Sequence, residues 1–421
     1  MAESMSAPVQ RKVGTPTFGQ QHPMHQVSLN GVPWPARSVL KAASALGFGQ
    51  LTVRLPDGRE LTFQGEKEGT TANITINSYK FAWPIALNGS IGAAEAFLSG
   101  HWESDDIVAV LELFAENRSV FTGALNGLSL PLLLERAGHL LRRNSKSGSK
   151  KNIHYHYDLG NNFYKRWLDP TMTYSSARFQ KPGEDLSAAQ NNKYRSLAEN
   201  MELGPDHSVL EIGCGWGGFA EYAASEIGCN VTALTISREQ LDFARKRIFE
   251  KGLNEKVDVR YQDYRDVEEK FDRIASIEMF EAVGEQYWPA YFAKVRDALN
   301  PGGQAGLQII TIDDNSFETY RRSVDFIQRY IFPGGMLPSP SALKTQVTNA
   351  GLSWKTSTEF GLDYAETLAR WRDRFLVAWP EIRELGFDER FRRMWEYYLA
   401  YCEAGFRSGN VDVTQLTLSR S

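Results

Sequence analysis

Between about residues 185 and 315, short apolar runs of strand character alternate with amphipathic helical stretches, and the connections are brief. Strands separated by helices cannot pair as hairpins. They lie parallel in one sheet, with the crossover helices covering its faces. The strand-like runs are HSVLEIG (207–213), NVTALTIS (230–237), VDVRYQD (257–263), RIASIEMF (273–280) and GQAGLQIITI (303–312). The helical ones are GWGGFAEYAASE, REQLDFARKRIFEKG and YFAKVRDALN.

The first strand runs into Glu211-Ile-Gly213-Cys-Gly215-Trp-Gly217-Gly218. Glycines at a strand-to-helix turn permit positive φ and a close approach of backbone to ligand. Gly213, Gly215 and Gly218 also satisfy a dinucleotide-binding spacing. Two features oppose a dinucleotide. Glu211, two residues before the first glycine, would repel a pyrophosphate but can hold an ammonium group. The second strand ends Leu234-Thr235-Ile236-Ser237, with no acid to receive a ribose. With Gln240 one turn into the next helix and Asp263-Tyr264 after the third strand, the pattern matches an S-adenosylmethionine site. Gln240 alone also reads as a solvated helix residue, and Asp263-Tyr264 as a strand-end cap.

The 421 residues correspond to two or three domains at about 150 residues each. The formal charge of -4 gives no electrostatic case for a nucleic-acid partner. The odd set Cys214, Cys229 and Cys402 contains no C-x-x-C, which disfavours disulfides and structural zinc and suits a reducing cytosol. No metal is expected. No secretory signal is visible, and no apolar run approaches the roughly 18 residues that span a bilayer. These features predict a soluble or peripheral protein.

Residues 1–35 read as a disordered tail and 36–125 as a small α+β domain. In the latter, SVLKAASALGF is helical and a hairpin turns at Pro56-Asp57-Gly58. TANITINSYKFAWPIAL (71–87) reads as two strands, and two short helices follow. Residues 126–152 form a leucine-rich then basic linker containing Arg136, Arg142, Arg143, Lys146, Lys150 and Lys151. It reads either as a helix docked on protein followed by a flexible connection, or as a segment for an anionic membrane surface. The last part, 316–421, reads as mostly helical and aromatic, within a catalytic domain spanning 153–421.

Long strings of this sequence resemble the cyclopropane-fatty-acyl-phospholipid synthases and related S-adenosylmethionine-dependent lipid C-methyltransferases. They are HYDLGNNFYKRWLDPTMTYSSARF (156–179), VLEIGCGWGGFAEYAA (209–224), LTISREQ (234–240), QDYRD (262–266), MFEAVG (279–284), RYIFPGGMLPS (329–339), FGLDYAETLARW (360–371) and RFLVAWPEI (374–382). The resemblance implies a Rossmann-like, seven-stranded class I methyltransferase domain with helical insertions forming an acyl tunnel. A small α+β N-terminal domain precedes it. Tyr174, Ser175, Gly213, Gly215, Thr235, Ser237 and Gln240 match the family's cofactor positions. The family also binds bicarbonate beside the sulfonium, and its ligand positions read here as Ser176, Glu281, Gln308, Ile310 and Tyr364. Ser176 and Gln308 depart from the family's Cys and His. The implied substrate is an unsaturated phospholipid in an anionic membrane surface, at the cytoplasmic, inner face of a membrane. A homodimer is left open.

An isolated alkene is a weak nucleophile, so the sulfonium methyl must be held in line with it in a dry pocket. Methyl transfer leaves a carbocation, and a base must then collect a proton. Loss from the new methyl closes a cyclopropane; loss from a neighbouring carbon gives a methyl-branched product. Tyr174, Tyr330, Tyr364, Trp371 and Trp379 are candidates to face the cation, with core packing as the alternative for each. No histidine follows His207, so the later strands and the C-terminal region supply no imidazole. The base is therefore a carboxylate, a tyrosine or a bound anion, with Glu281 foremost. A non-catalytic lipid-binding paralogue is the rival from another class.

Overall fold

The computed structural model describes residues 29–118 and 159–421. The linker 126–152 and most of the predicted tail lie outside them. The helix expected near residue 36 starts at Trp34, with Pro35 in its first turn, and runs as α1 to Ala43.

The N-terminal part is a four-stranded sheet in the order β2-β1-β3-β4, with helices packed against it. β1 (Phe48–Arg54) and β2 (Glu60–Gln64) form the predicted hairpin, and their buried side chains alternate. Gly58, at φ +86°, occupies a turn position that other residues rarely accept. β3 (Lys67–Ile76) pairs parallel with β1, and the short β4 (Trp102–Glu103) closes the sheet. The segment predicted as two strands is instead the end of β3, a turn at Tyr79–Phe81 and the start of helix α2 (Ala82–Leu98). Its apolar run fits either structure by periodicity alone. α2 also absorbs the first of the two expected short helices and kinks at Gly89. α3 (Ile107–Glu116) is the second, capped by the Asp106 carboxylate on the Ala109 N–H.

The catalytic part is a seven-stranded sheet in the order β10-β11-β9-β8-β5-β6-β7. β5 (Ser208–Ile212), β6 (Asn230–Thr235), β7 (Val257–Tyr261), β8 (Phe271–Ile277) and β9 (Leu299–Ile312) are the five predicted strands, and they pair in parallel. The helices between them include α5 (Gly218–Tyr222), α6 (Arg238–Glu250) and α7 (Trp288–Ala298), with α4 (Leu186–Asn200) before β5. The C-terminal region departs from its mostly helical expectation by contributing two strands, β10 (Leu352–Glu359) and β11 (Val411–Arg420). β11 inserts antiparallel between β9 and β10. It buries Thr414, Gln415 and Thr417, so its sequence lacks the apolar signature of a central strand.

The predicted C-terminal helices are α10 (Gly361–Glu384) and α11 (Glu389–Arg407), after α8 (Asp314–Tyr320) and α9 (Pro340–Asn349). α11 carries the N-terminal part. The Phe97 and Tyr397 rings lie 5.6 Å apart, and Glu95 of α2 accepts from the Tyr330 hydroxyl at 2.7 Å and pairs with Arg329 at 3.0 Å. Strand order reverses beside β5, so the loops after β5, β6 and β8 open onto one crevice at the carboxyl end of the sheet, where such folds bind ligands.

Candidate active site

The glycine loop follows β5 and faces that crevice. Gly215 sits at φ +54°, and a Cβ built there would meet nothing within 4 Å, so its backbone is bare toward the cavity. Gly218 is required for packing: a Cβ there would stand 2.4 Å from the Tyr194 hydroxyl. The Trp216 indole N–H donates to Asn161 Oδ1 at 2.6 Å, tying the segment that begins at Leu159 to the loop.

Glu211 is buried, and its Oε2 has no hydrogen-bond partner. Burial pushes its carboxyl up to about 8, against the charges of Arg247 and Lys193. An unsatisfied buried carboxylate beside a bare glycine loop fits the ammonium of an amino-acid moiety. Across the crevice, Thr235 donates to Gln240 Oε1 at 3.0 Å, which fixes the amide with its nitrogen turned away from Thr235. Ser237 caps α6 and does not reach the cavity wall. Asp263 and Tyr264 line the cavity, but the Asp263 carboxylate caps the next turn and pairs with Arg265 at 2.6 Å. The capping reading therefore holds for Asp263 alongside its place in the wall.

The segment before α4 supplies Tyr174 and Ser175. The Tyr174 hydroxyl is 2.6 Å from that of Tyr398, and its ring lies 5.3 Å from Trp371. Ser175 Oγ accepts from the Lys193 ammonium at 2.7 Å. Lys193 is fully buried, and burial holds its pKa well below the usual lysine range, against the attraction of Glu278, Asp169 and Glu211.

The sequence reading missed Glu278. Directly after β8, it adopts φ +48°, a conformation uncommon outside glycine. Its Oε1 accepts from the Ser176 backbone N–H at 2.8 Å and from Gln308 Nε2 at 2.7 Å. Its Oε2 accepts from the Tyr364 hydroxyl at 2.6 Å. Burial raises its pKa; the Tyr364 bond, the Lys193 charge and the other two donors oppose that rise. Gln308 is held in turn by Gln415, whose Nε2 donates to Gln308 Oε1 at 3.0 Å.

These contacts correct the expected anion site. Three groups offered to bicarbonate are spent on Glu278, and a second anion there would stand against a carboxylate. The residues do not fit bicarbonate. Ser176 and Gln308 are buried behind Glu278 and do not line the cavity, and the Ser176 hydroxyl donates to the Ala177 carbonyl. Glu281 and Ile310 do line it: the Ile310 N–H donates to Glu281 Oε1 at 2.6 Å. Glu281 Oε2 has no partner, and burial, then the neighbouring Glu278 charge, pushes this carboxyl up to about 8.

Of the aromatic candidates, Tyr174 and Tyr364 reach the cavity. Trp371 and Trp379 pack elsewhere, and Tyr330 bonds to Glu95. The cavity, about 880 Å³, continues past Tyr398 and Phe332 into an apolar chamber walled by α1, α2 and α3, where Leu40, Ile85 and Leu111 line it.

The sequence from 144 to 416 matches the family model "Mycolic acid cyclopropane synthetase". The chain belongs to that family. It is 38% identical over 356 residues to tuberculostearic acid methyltransferase UfaA1 of Mycobacterium tuberculosis, covering 80% of each chain. It is 37% identical over 351 residues to the cyclopropane-fatty-acyl-phospholipid synthase of Escherichia coli, covering 83% of this chain and 88% of the relative. Among solved structures, mycolic acid cyclopropane synthase CmaA1, complexed with SAH and CTAB, superposes with a TM-score of 0.61 at 30% identity. That match covers 64% of this chain and 98% of the neighbour. The family is one of S-adenosylmethionine-dependent methyltransferases, with the class I fold that the sheet order displays. The cofactor is S-adenosylmethionine.

Proposed function

We propose that this family member methylates a carbon of the double bond in unsaturated acyl chains of membrane phospholipids. The observation that carries the reading is the shape of the cavity. One continuous space joins the glycine loop and Glu211 to a carboxylate-bearing wall, and from there to a long apolar chamber. That arrangement suits a reactive methyl at one end and an extended hydrocarbon at the other. The names of the relatives, which include a fatty-acyl-phospholipid synthase and a tuberculostearic acid methyltransferase, support the substrate class.

S-adenosylmethionine supplies an electrophilic methyl on a sulfonium. Glu211 binds the ammonium, the bare backbone at Gly215 admits the cofactor, and Gln240 offers its amide to the ribose. Tyr174 and Tyr364 present aromatic groups to the cation that forms on the acyl chain. The apolar walls exclude water, which would otherwise trap that cation. Cyclopropane and a methyl-branched alkene are the two outcomes of the same cation, decided by which proton leaves.

Peripheral attachment to the inner face of a membrane belongs to the same proposal. Among the described residues, no helix is long and apolar enough to cross a bilayer. Trp34 is 65% exposed, Trp83 51% and Leu87 48%, and the two indoles meet edge to face at 5.6 Å. They stand on α1 and α2, the helices that wall the apolar chamber, and amphipathic indoles favour the membrane interface. The test is transfer of labelled methyl to vesicles. Unsaturated phospholipid should accept it and saturated phospholipid should not; transfer only to small amines would refute the proposal.

A further inference from the structure

We infer that Glu278 is the general base of the methyl transfer, a carboxylate built into the chain where a free anion would otherwise have to bind. The inference rests on the lipid-methylating reading and deepens it.

Three observations converge on Glu278. It lines the cavity together with Tyr364, Glu281 and Ile310, which places it beside the space the acyl chain would occupy. Its two oxygens accept three hydrogen bonds, from the Ser176 N–H, Gln308 Nε2 and Tyr364 OH. It occupies a left-handed backbone conformation, of the kind that concentrates at functional positions. A glutamate serving only as packing has no need of that geometry.

The neighbouring carboxyl separates the roles. Glu281 has one donor, the Ile310 N–H, and one bare oxygen, and the negative charge of Glu278 adds to its burial. It therefore carries a proton near neutral pH. Glu278 has three donors, and the Lys193 ammonium attracts it from behind Ser175. Burial raises both carboxyls, but adjacent carboxyls resist ionising together, and the three donors favour the ionised form at Glu278. Ser176, Gln308, Tyr364 and Lys193 are then positioning residues for Glu278.

The chemistry balances without another reactant. The methyl–sulfur bond breaks and its electron pair stays on sulfur. The alkene π pair forms the new carbon–carbon bond and leaves the other alkene carbon cationic. Glu278 takes one proton from a carbon beside or bonded to the reacting pair. The released C–H pair closes either the cyclopropane ring or a new double bond. The proton on Glu278 is lost to solvent before the next turnover.

The test uses the full-length protein with unsaturated phospholipid vesicles and two variants. Glu278→Gln keeps the size of the side chain but cannot accept a proton as a carboxylate. Glu278→Gly removes the side chain at a position whose φ suits glycine, and leaves room for a small anion. The expected result is a fall in turnover of about a hundredfold or more in both, the usual range for a general base. S-adenosylmethionine binding by calorimetry should remain near that of the parent. Added bicarbonate or formate should restore part of the turnover in the glycine variant and none in the glutamine variant. Parent-like turnover of Glu278→Gln overturns the assignment, as does a loss in Glu278→Gly that no added anion repairs. A parent that methylates no unsaturated lipid overturns the functional reading itself, and the inference with it.

Discussion

Replacing Glu211 by Gln should change the proton balance of cofactor binding as well as its strength. Burial pushes the Glu211 carboxyl up to about 8, and one of its oxygens has no partner. At pH 7 a group of that pKa is protonated in about nine molecules of ten. An ammonium brought against it favours the ionised form, so binding expels the proton. The free cofactor's α-amino group, with an ordinary pKa of about 7.7–8.0, takes back about a tenth of a proton. Net release should be about 0.8 proton per cofactor at pH 7, falling to zero near about pH 8 and turning into net uptake above it. Calorimetric titration in two buffers of different ionisation enthalpy measures it.

Glu211→Gln should abolish the release and weaken binding by about tenfold to 150-fold, matching the roughly 1.5–3 kcal/mol of a hydrogen bond to a charged group. Stability without cofactor should respond as well. Between the ordinary glutamate value of 4.5 and about 8, the folded chain holds a proton that the unfolded chain has lost. Glu211 therefore lowers stability as pH rises through that window, by at most on the order of 5 kcal/mol, and the Gln variant should flatten the decline. No proton release by the parent, or parent-like release by the variant, would refute the ammonium assignment.

Gly215→Asp should abolish cofactor binding in calorimetry while its circular dichroism stays that of the parent, because a side chain there enters open cavity and brings a charge toward Glu211. Glu281→Gln should keep much of the turnover at pH 7, since an amide mimics a protonated carboxyl. It should also remove a fall in rate that the parent shows above about pH 8, where Glu281 ionises beside Glu278. A pH–rate profile of the two proteins checks this. Trp34→Ser with Trp83→Ser should reduce co-sedimentation with anionic vesicles severalfold. Replacement of Arg142, Arg143, Lys150 and Lys151 by Gln should do so in a salt-dependent way if the basic run also engages lipid.

The sheet from β5 to β9 was legible because parallel strands buried on both faces read as apolar runs, and the intervening helices carry the other period. The cofactor loop was legible because its glycines answer to backbone geometry. The segment around Ala82–Leu87 was not, because an apolar run containing Trp83 and Pro84 fits strand or helix equally until tertiary packing decides. β11 hid its central place behind Thr414, Gln415 and Thr417, whose burial depends on partners far away in sequence, such as Gln308. Glu278 stood inside a run read as continuous strand, RIASIEMF, while β8 ends at Ile277. No local signal announces a non-glycine residue at positive φ. A glutamate within a buried, apolar strand ending at the crevice was the one available hint. The departures at Ser176 and Gln308 were visible, but their meaning was not, since both serve Glu278 from behind the wall.

The most direct test of alkene methylation is mass spectrometry of unsaturated phospholipid vesicles incubated with the full-length protein and S-adenosylmethionine deuterated in its methyl group. The predicted result is a single methyl-derived carbon added to unsaturated acyl chains and none to saturated ones. A cyclopropane or methylene product has lost one deuterium from that carbon. A methyl-branched alkene formed by proton loss from the chain keeps all of it. Label confined to head groups, or found equally in saturated chains, would contradict the account.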